Sequence, residues 1–199
     1  MIGNDIVHIH QAKKVYHNQR WLDKVFSPQE QLWIQNSNNP HYTLWWFWSC
    51  KESAYKAFLK LEGKRQFKPK TIQIIDINFQ TQTTVIQYKT WKVWTNSDCK
   101  HSYFYTIAFT QQITPLNINS KVFHWQNLDL KTGSLQLKQE LLNALQLKYK
   151  NNNPLNLQKN QLGIPVIVNH PNIDISLTHD LPYFAFAYQD TTSKIATIA

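Results

Sequence analysis

Ser102-Tyr-Phe-Tyr-Thr-Ile-Ala-Phe-Thr110 can be laid over Pro182-Tyr-Phe-Ala-Phe-Ala-Tyr-Gln-Asp190 with both Tyr-Phe pairs in register. Each stretch reads as a strand rich in aromatic and β-branched residues, and each follows a polar turn that contains histidine. Two strands this similar, one near the middle of the chain and one near its end, suggest that a single structural unit occurs twice. The expected fold is therefore α+β: two similar halves, residues 1–112 and 113–199, forming a pseudo-dimer within one tightly joined unit. Each half would pack a small antiparallel sheet against helices.

The segments upstream of each repeat fit this reading. Residues 2–9 alternate as a short strand, residues 11–24 look helical, and Ser27-Pro28-Gln29-Glu30 has the form of a capping box with proline at the first helical position. Residues 42–62 carry strong helix formers and an apolar set (Leu44, Phe47, Ala54, Ala57, Phe58, Leu61), with Gly63 where a C-cap is expected. Residues 71–79, 84–95 and 102–110 then read as an antiparallel meander. After a connector around residues 111–120 the order restarts in shorter form. A strand is expected over 121–128, a helix over 135–149 with Leu137, Leu141, Leu145 and Tyr149 on one stripe, and an Asn-rich loop at 151–153. Strands follow at 164–168, 173–177 and 183–188.

Composition restricts the class. The 199 residues include eight Trp, ten Phe and nine Tyr, too much apolar material for a disordered chain. Lys plus Arg number 21 against 12 Asp plus Glu, a formal net charge of +9 that favours an acidic partner. Cys50 and Cys99 are too few for a disulfide framework and match no metal-ligand spacing. The N-terminal segment lacks the pattern of a signal peptide, and no apolar run approaches the roughly 20 residues a membrane span requires. The expectation is a cytoplasmic protein with no membrane association.

Three clusters could carry chemistry. Gly3-Asn-Asp5 puts a carboxylate on a strand beside a glycine that permits close approach to the backbone. In Trp48-Ser-Cys-Lys-Glu-Ser-Ala-Tyr-Lys56, Glu52 and Lys56 lie four apart on one helix face. Taken alone, that pair could be an exposed ion pair contributing about 0.3–0.5 kcal/mol. Its setting, after Trp45-Trp-Phe-Trp48 and among small alanines, also suits the binding of a metal and a phosphate. In Ile175-Ser-Leu-Thr-His179, Ser176 and Thr178 would project on one face with His179 beside them, able either to donate to phosphate oxygens or to cap a turn.

The order Gly3-Asn-Asp5, Trp48 to Lys56, Gly163-Ile-Pro165 and Ser176-Leu-Thr-His179 resembles the 4′-phosphopantetheinyl transferase superfamily, with motifs like those of the short holo-[acyl-carrier-protein] synthases. The resemblance implies transfer of the 4′-phosphopantetheine arm of coenzyme A to a serine of an acidic apo carrier protein (acyl, peptidyl or aryl), with release of 3′,5′-ADP. It implies Mg²⁺ held by Asp5 and Glu52, and Glu52 and Lys56 as catalytic residues. Coenzyme A would be bound by Lys56, Gly63, Ser176, Thr178 and His179, with Lys64 and Arg65 as further candidates. It also implies a monomer whose one site forms between the halves, since nothing after residue 120 resembles Lys51 to Lys56 and the turn at residues 96–101 lacks the Ser-x-Thr-His pattern.

Departures from the family pattern are Val7, where longer members often have a second acidic residue, and Ile164, where Gly-Lys-Pro is usual. The motif order also looks permuted relative to those longer members. Two other readings stay open at this point. One is a basic single-stranded nucleic-acid-binding protein using Tyr88-Lys-Thr-Trp-Lys-Val-Trp94; the other is a catalytically silent relative that binds coenzyme A or a carrier.

Overall fold

In the computed structural model, which describes residues 1–10, 12, 15, 17–110, 117–126, 129–149 and 154–192, helix boundaries follow local capping chemistry. Helix α1 covers Gln19–Val25, α2 Pro28–Gln35 and α3 Pro40–Glu62. Ser27 and Glu30 form the expected capping box, with the Ser27 hydroxyl accepting from Glu30 N and the Glu30 carboxylate accepting from Ser27 N. Gly63 closes α3 in the left-handed conformation at φ 66°, its N–H bonded to Leu59 O. The front of α3 lies two residues before the expected start. Asn39 Oδ1 accepts from Tyr42 N, and Pro40 lacks only a donor that the first turn does not use.

Strands β1 (Ile2–His8), β2 (Gln73–Asn78), β3 (Thr83–Tyr88), β4 (Trp91–Cys99) and β5 (Tyr103–Phe109) form an antiparallel sheet in the order β1-β5-β4-β3-β2. Strands β6 (Ile118–His124), β9 (Ile173–Asp180) and β10 (Tyr183–Asp190) form a second sheet, β6-β10-β9. Helix α4 (Leu130–Tyr149) packs on the latter through Leu137, Leu141 and Leu145, while β7 (Leu157–Lys159) and β8 (Pro165–Ile167) make a separate hairpin. The architecture is α+β, as expected. The two strands whose sequences match occupy corresponding places, β5 between β1 and β4 and β10 between β6 and β9.

Several expected boundaries need correction. The single strand read over 84–95 is two strands, β3 and β4, joined by a turn in which Lys89 takes φ 53°. No Gly, Pro, Asn or Asp marks that turn, so alternation ran on through it. The aromatic row proposed for stacking bases is broken there: Tyr88 is buried and Trp91 exposed, facing each other across the hairpin. Helix α4 starts five residues before 135, with the Asp129 carboxylate accepting from Lys131 N and Thr132 N. Gly133 argues locally against helix, yet a Cβ there would lie 2.2 Å from the Phe184 ring, so close packing on β10 requires the glycine. Strand β6 begins at 118 rather than 121, and β9 runs on through His179 to Asp180 instead of ending at 177. Of the helix expected over 11–24, α1 occupies the last part. Residues 11, 13, 14 and 16, the connector at 111–116 and the loop at 151–153 lie outside the described residues.

One interaction sets how α3 lies in the first half. Lys51 is completely buried, its ammonium 2.7 Å from a Glu30 carboxylate that is also completely buried. The ammonium donates further to Val25 O (2.9 Å) and Pro69 O (3.1 Å), and Glu30 Oε1 accepts from Ile74 N (2.8 Å). The capping carboxylate of α2 therefore also joins α3 and β2. Because adjacent helical positions differ by about 100°, holding Lys51 inward turns Glu52 toward β1.

Removing one partner of such a pair leaves an uncompensated buried charge. Lys51→Met is expected to cost about 3–5 kcal/mol of unfolding free energy in urea titrations. Lys51→Met with Glu30→Gln, which keeps acceptor and volume without the charge, should recover most of the loss. A single-variant loss below about 1 kcal/mol would contradict this role.

Candidate active site

Close packing of α3 on β1 begins with Gly3. A Cβ at this position would lie 2.0 Å from Ser53 O and 2.9 Å from Ala57 N, so only glycine lets the helix lie this close. The α3 face against β1 carries Ser53, Lys56, Ala57 and Lys60. Lys56 Nζ donates to Asn4 O (2.7 Å) and lies 3.4 Å from Asp5 Oδ1; Lys60 Nζ donates to Ile2 O (2.6 Å). Four residues advance a helix about 6 Å, and two residues advance a strand about 6.7 Å. Lysines one turn apart therefore meet alternate carbonyls of β1. One turn earlier the same face brings a carboxylate, Glu52, beside Asp5.

The outer edge of β1 is closed from the other side by β9. Ile2 N donates to Asp174 Oδ2 (2.6 Å), Asn4 N to Ser176 Oγ (3.0 Å), Ile6 N to Thr178 Oγ1 (3.3 Å) and His8 N to Asp180 Oδ2 (2.7 Å), each 172 residues on. Side-chain oxygens at alternate positions of one strand thus do the work of a neighbouring backbone. Thr178 Oγ1 also donates to Asp5 Oδ1 (3.2 Å).

These contacts put Asp5, Lys56, Ser176, Thr178 and His179 on one cleft of about 630 Å³ between α3, β9 and the β7–β8 hairpin. Arg65, Lys138 and Lys159 line it as well, so among the described residues its walls are strongly basic around a single aspartate. Glu52 is half-buried beside Asp5. Gly63 caps α3 and does not line the cleft, whereas Arg65 comes within 3.6 Å of where a Cβ on Gly163 would stand.

Burial pushes the Asp5 carboxyl above the usual range, opposed first by the charge of Lys56 and then by the Thr178 hydroxyl. Burial and the negative charge of Asp5 push Glu52 up to about 7, with Lys56 opposing. Burial lowers His179, and the Lys56 charge lowers it further. Ser49 Oγ is buried near Asp5 and, short of a hydrogen bond of normal geometry, still helps hold the Asp5 carboxyl down.

Two adjacent carboxylates sharing one ammonium, beside an under-bonded hydroxyl, leave excess negative charge among hard oxygen donors. That donor set fits Mg²⁺, which takes one or two carboxylates and fills its remaining positions with water and substrate oxygens. No cluster of three or more His, Cys, Asp or Glu suited to a metal occurs among the described residues, so an all-protein cage is not formed there.

Sequence reasoning did not single out Lys60, Asp174, Asp180, Lys138 or Lys159. Lys60 follows Lys56 by one turn, and Asp174 and Asp180 extend the even-numbered polar row of Ser176 and Thr178, so both periodicities were present. Lys138 and Lys159 carry no local signal and reach the cleft only through the fold.

A family model described as the 4′-phosphopantetheinyl transferase superfamily matches residues 1–110. The holo-[acyl-carrier-protein] synthase of Campylobacter lari is 46% identical over 59 residues, covering 29% of this chain and 47% of that protein. The holo-[acyl-carrier-protein] synthase of Leptospira biflexa serovar Patoc is 32% identical over 93 residues, covering 46% of this chain and 72% of that protein. The chain thus spans about half the length of the first relative and nearly three quarters of the second. With the family model covering more than half of its residues, the chain belongs to the 4′-phosphopantetheinyl transferase superfamily.

Proposed function

We propose that the protein transfers the 4′-phosphopantetheine arm of coenzyme A to a serine of an acidic apo carrier protein, releasing 3′,5′-ADP, as a cytoplasmic monomer. The observation that carries this reading is the joining, across one seam, of an Asp5–Glu52–Lys56 group with His179 and a basic cleft large enough for a nucleotide.

Asp5 and Glu52 would hold Mg²⁺, which when bound offsets charge on the pyrophosphate of coenzyme A. Lys56 is 28% exposed at its side chain, and one carbonyl and a long contact to Asp5 leave it donor capacity for a phosphate oxygen. The carrier serine oxygen bonds to the β-phosphorus as the bond from that phosphorus to the oxygen of the departing 3′,5′-ADP breaks. Lys56 stabilises that oxygen. Glu52 takes the serine proton. His179, kept neutral by burial and by Lys56, donates a ring N–H toward the 3′-phosphate, with Arg65, Lys138 and Lys159 supplying positive charge around it. Ser176 keeps its hydroxyl proton for a ligand while accepting from Asn4 N, whereas the Thr178 proton is committed to Asp5.

Incubation with coenzyme A, Mg²⁺ and apo carrier proteins should add the mass of one phosphopantetheine to a carrier. Asp5→Ala and Glu52→Ala should each reduce the rate at least about a thousandfold without unfolding the protein. No mass gain across several carriers defeats the proposal, and retained rate in either variant defeats the site assignment.

Glu52 also gives a pH signature. Its folded-state proton affinity is raised, so its contribution to stability is complete below pH 4.5, the ordinary glutamate value, and is lost as pH rises through about 7. Glu52→Gln should therefore be more stable than the parent at pH 8, by on the order of 2 kcal/mol, with the advantage fading toward pH 4. Added Mg²⁺ should raise the Tm of the parent at pH 8 and leave Glu52→Gln and Asp5→Asn unmoved. Equal Mg²⁺ shifts in all three would remove the metal from this pair.

A further inference from the structure

Lys60 lines the same cleft as Lys56, one helical turn on, and would pass for a second phosphate ligand. Its hydrogen bonds say otherwise. An ammonium has three N–H donors, and those of Lys60 are all taken: Ile2 O at 2.6 Å, Asp174 Oδ1 at 2.6 Å and Ile175 O at 2.7 Å. The two charged side chains are only 8% and 9% exposed. While Asp174 Oδ1 accepts from Lys60, its Oδ2 accepts from Ile2 N. Both outward backbone groups of Ile2 are thereby closed by one ion pair that also holds the start of β9.

Resting on the transfer reading above, we propose that Lys60 and Asp174 are positioning residues, a buried pair that sets the register of β9 against β1 and so the distance between the Asp5–Glu52–Lys56 wall and His179. The amide rungs by themselves do not set that register; contacts of Asn4 Nδ2 with Ala185 O, Tyr105 OH with Phe186 O and the His8 ring with Leu181 O act together with the pair to hold it. A slip of β9 by two residues keeps its polar face toward β1. It would bring Asp174 to Asn4 N and Lys56, Ser176 to Ile6 N and Thr178 to His8 N, so three of the four amides would still find an oxygen. Against it stands Lys60, which would be left buried without its anion, a loss the neutral rungs do not offset. The correct register carries His179 to the cleft and gives Thr178 to Asp5; the slipped one moves both by about 6.7 Å.

The test compares Lys60→Met, Asp174→Asn and the double variant with the parent, at a temperature where each is folded. For transfer from coenzyme A to a carrier, each single variant should lower kcat by about tenfold or more, as expected for misplaced groups, with any rise in the KM for coenzyme A following the displaced His179. The double variant should lose no more than the worse single one, because both act through one pair. A tenfold rise in KM with unchanged kcat would make Lys60 a phosphate ligand, and unchanged kcat in folded protein would make the pair merely structural; either overturns the proposal. Amide hydrogen exchange gives a readout independent of activity. Asn4 and Ile6, which neither residue touches, should lose protection about tenfold in Lys60→Met. Asp174→Asn, which keeps an acceptor for Ile2 N, carries both measurements if Lys60→Met does not fold. If the parent transfers nothing, the transfer reading fails and exchange alone decides the seam: unchanged protection at Asn4 and Ile6 rejects the pair's role.

Discussion

An edge strand must place its outward N–H and C=O groups somewhere, and in this protein the edge of β1 is where the two sheets become one structure. Its even-numbered amides meet four side-chain oxygens of β9, and the carbonyls of Ile2 and Asn4 meet two lysines of α3. Strands β1 and β9 belong to separate sheets and are joined through these side chains, without the 4.8 Å spacing of a continuous sheet. The looser joint leaves space beside the seam for a cleft. Asp5, Glu52, Lys56, Ser176, Thr178 and His179 lie on β1, on the helix packed over it or on the strand that closes it, with Arg65 after α3, the β7–β8 hairpin and α4 forming the far wall.

Helix α3 serves three surroundings at once because its period keeps them apart. Lys51 points into the core toward Glu30; Ser53, Lys56, Ala57 and Lys60 follow β1; Glu52 falls between these faces, half-buried. Trp45 and Trp48, seven and four residues before Glu52 and so on its side of the helix, pack with Trp21 at ring separations of 5.9 and 5.8 Å. Adjacent in sequence, Lys51 and Glu52 are opposite in role. The first is a cation whose charge is consumed by an internal carboxylate, and the second is a carboxylate whose nearest charged neighbours are another carboxylate and one lysine.

Much of this was legible in the residues. The capping box at Ser27, the left-handed Gly63, the stripe of Leu137, Leu141 and Leu145 and the similar strands β5 and β10 inside the two sheets follow from local rules, and the structure repeats them. Local rules also explain the errors. The turn at Lys89 lacks any turn-forming residue, and Gly133 speaks against a helix that needs it for packing on Phe184. Asp5, Glu52, Lys56 and His179 were legible as candidates because motif order carried them. The seam was not, because a row of Asp, Ser, Thr and Asp on alternate positions looks like a solvated strand face until the strand it faces is known. Lys60 was hidden for the same reason: its partner is 114 residues away.

The arrangement concentrates destabilising features where chemistry would occur and compensates for them nearby. Asp5 and Glu52 each resist ionisation through burial, and the charge of Asp5 makes Glu52 harder still to ionise. Lys56 and Thr178 relieve Asp5 in part, while nothing but Lys56 is set against the charge on Glu52. A protein that needed only stability would place an apolar residue at 52, since that position already adjoins a closely packed helix–strand contact. Stability comes instead from pairs that are complete: Lys51 with Glu30 on one side of the helix and Lys60 with Asp174 on the other, both with their donors used. Completed pairs hold the helix at both ends of the incomplete one. The uncompensated carboxylate therefore cannot relax by moving α3 away from β1, and it stays ready to accept a proton or a cation.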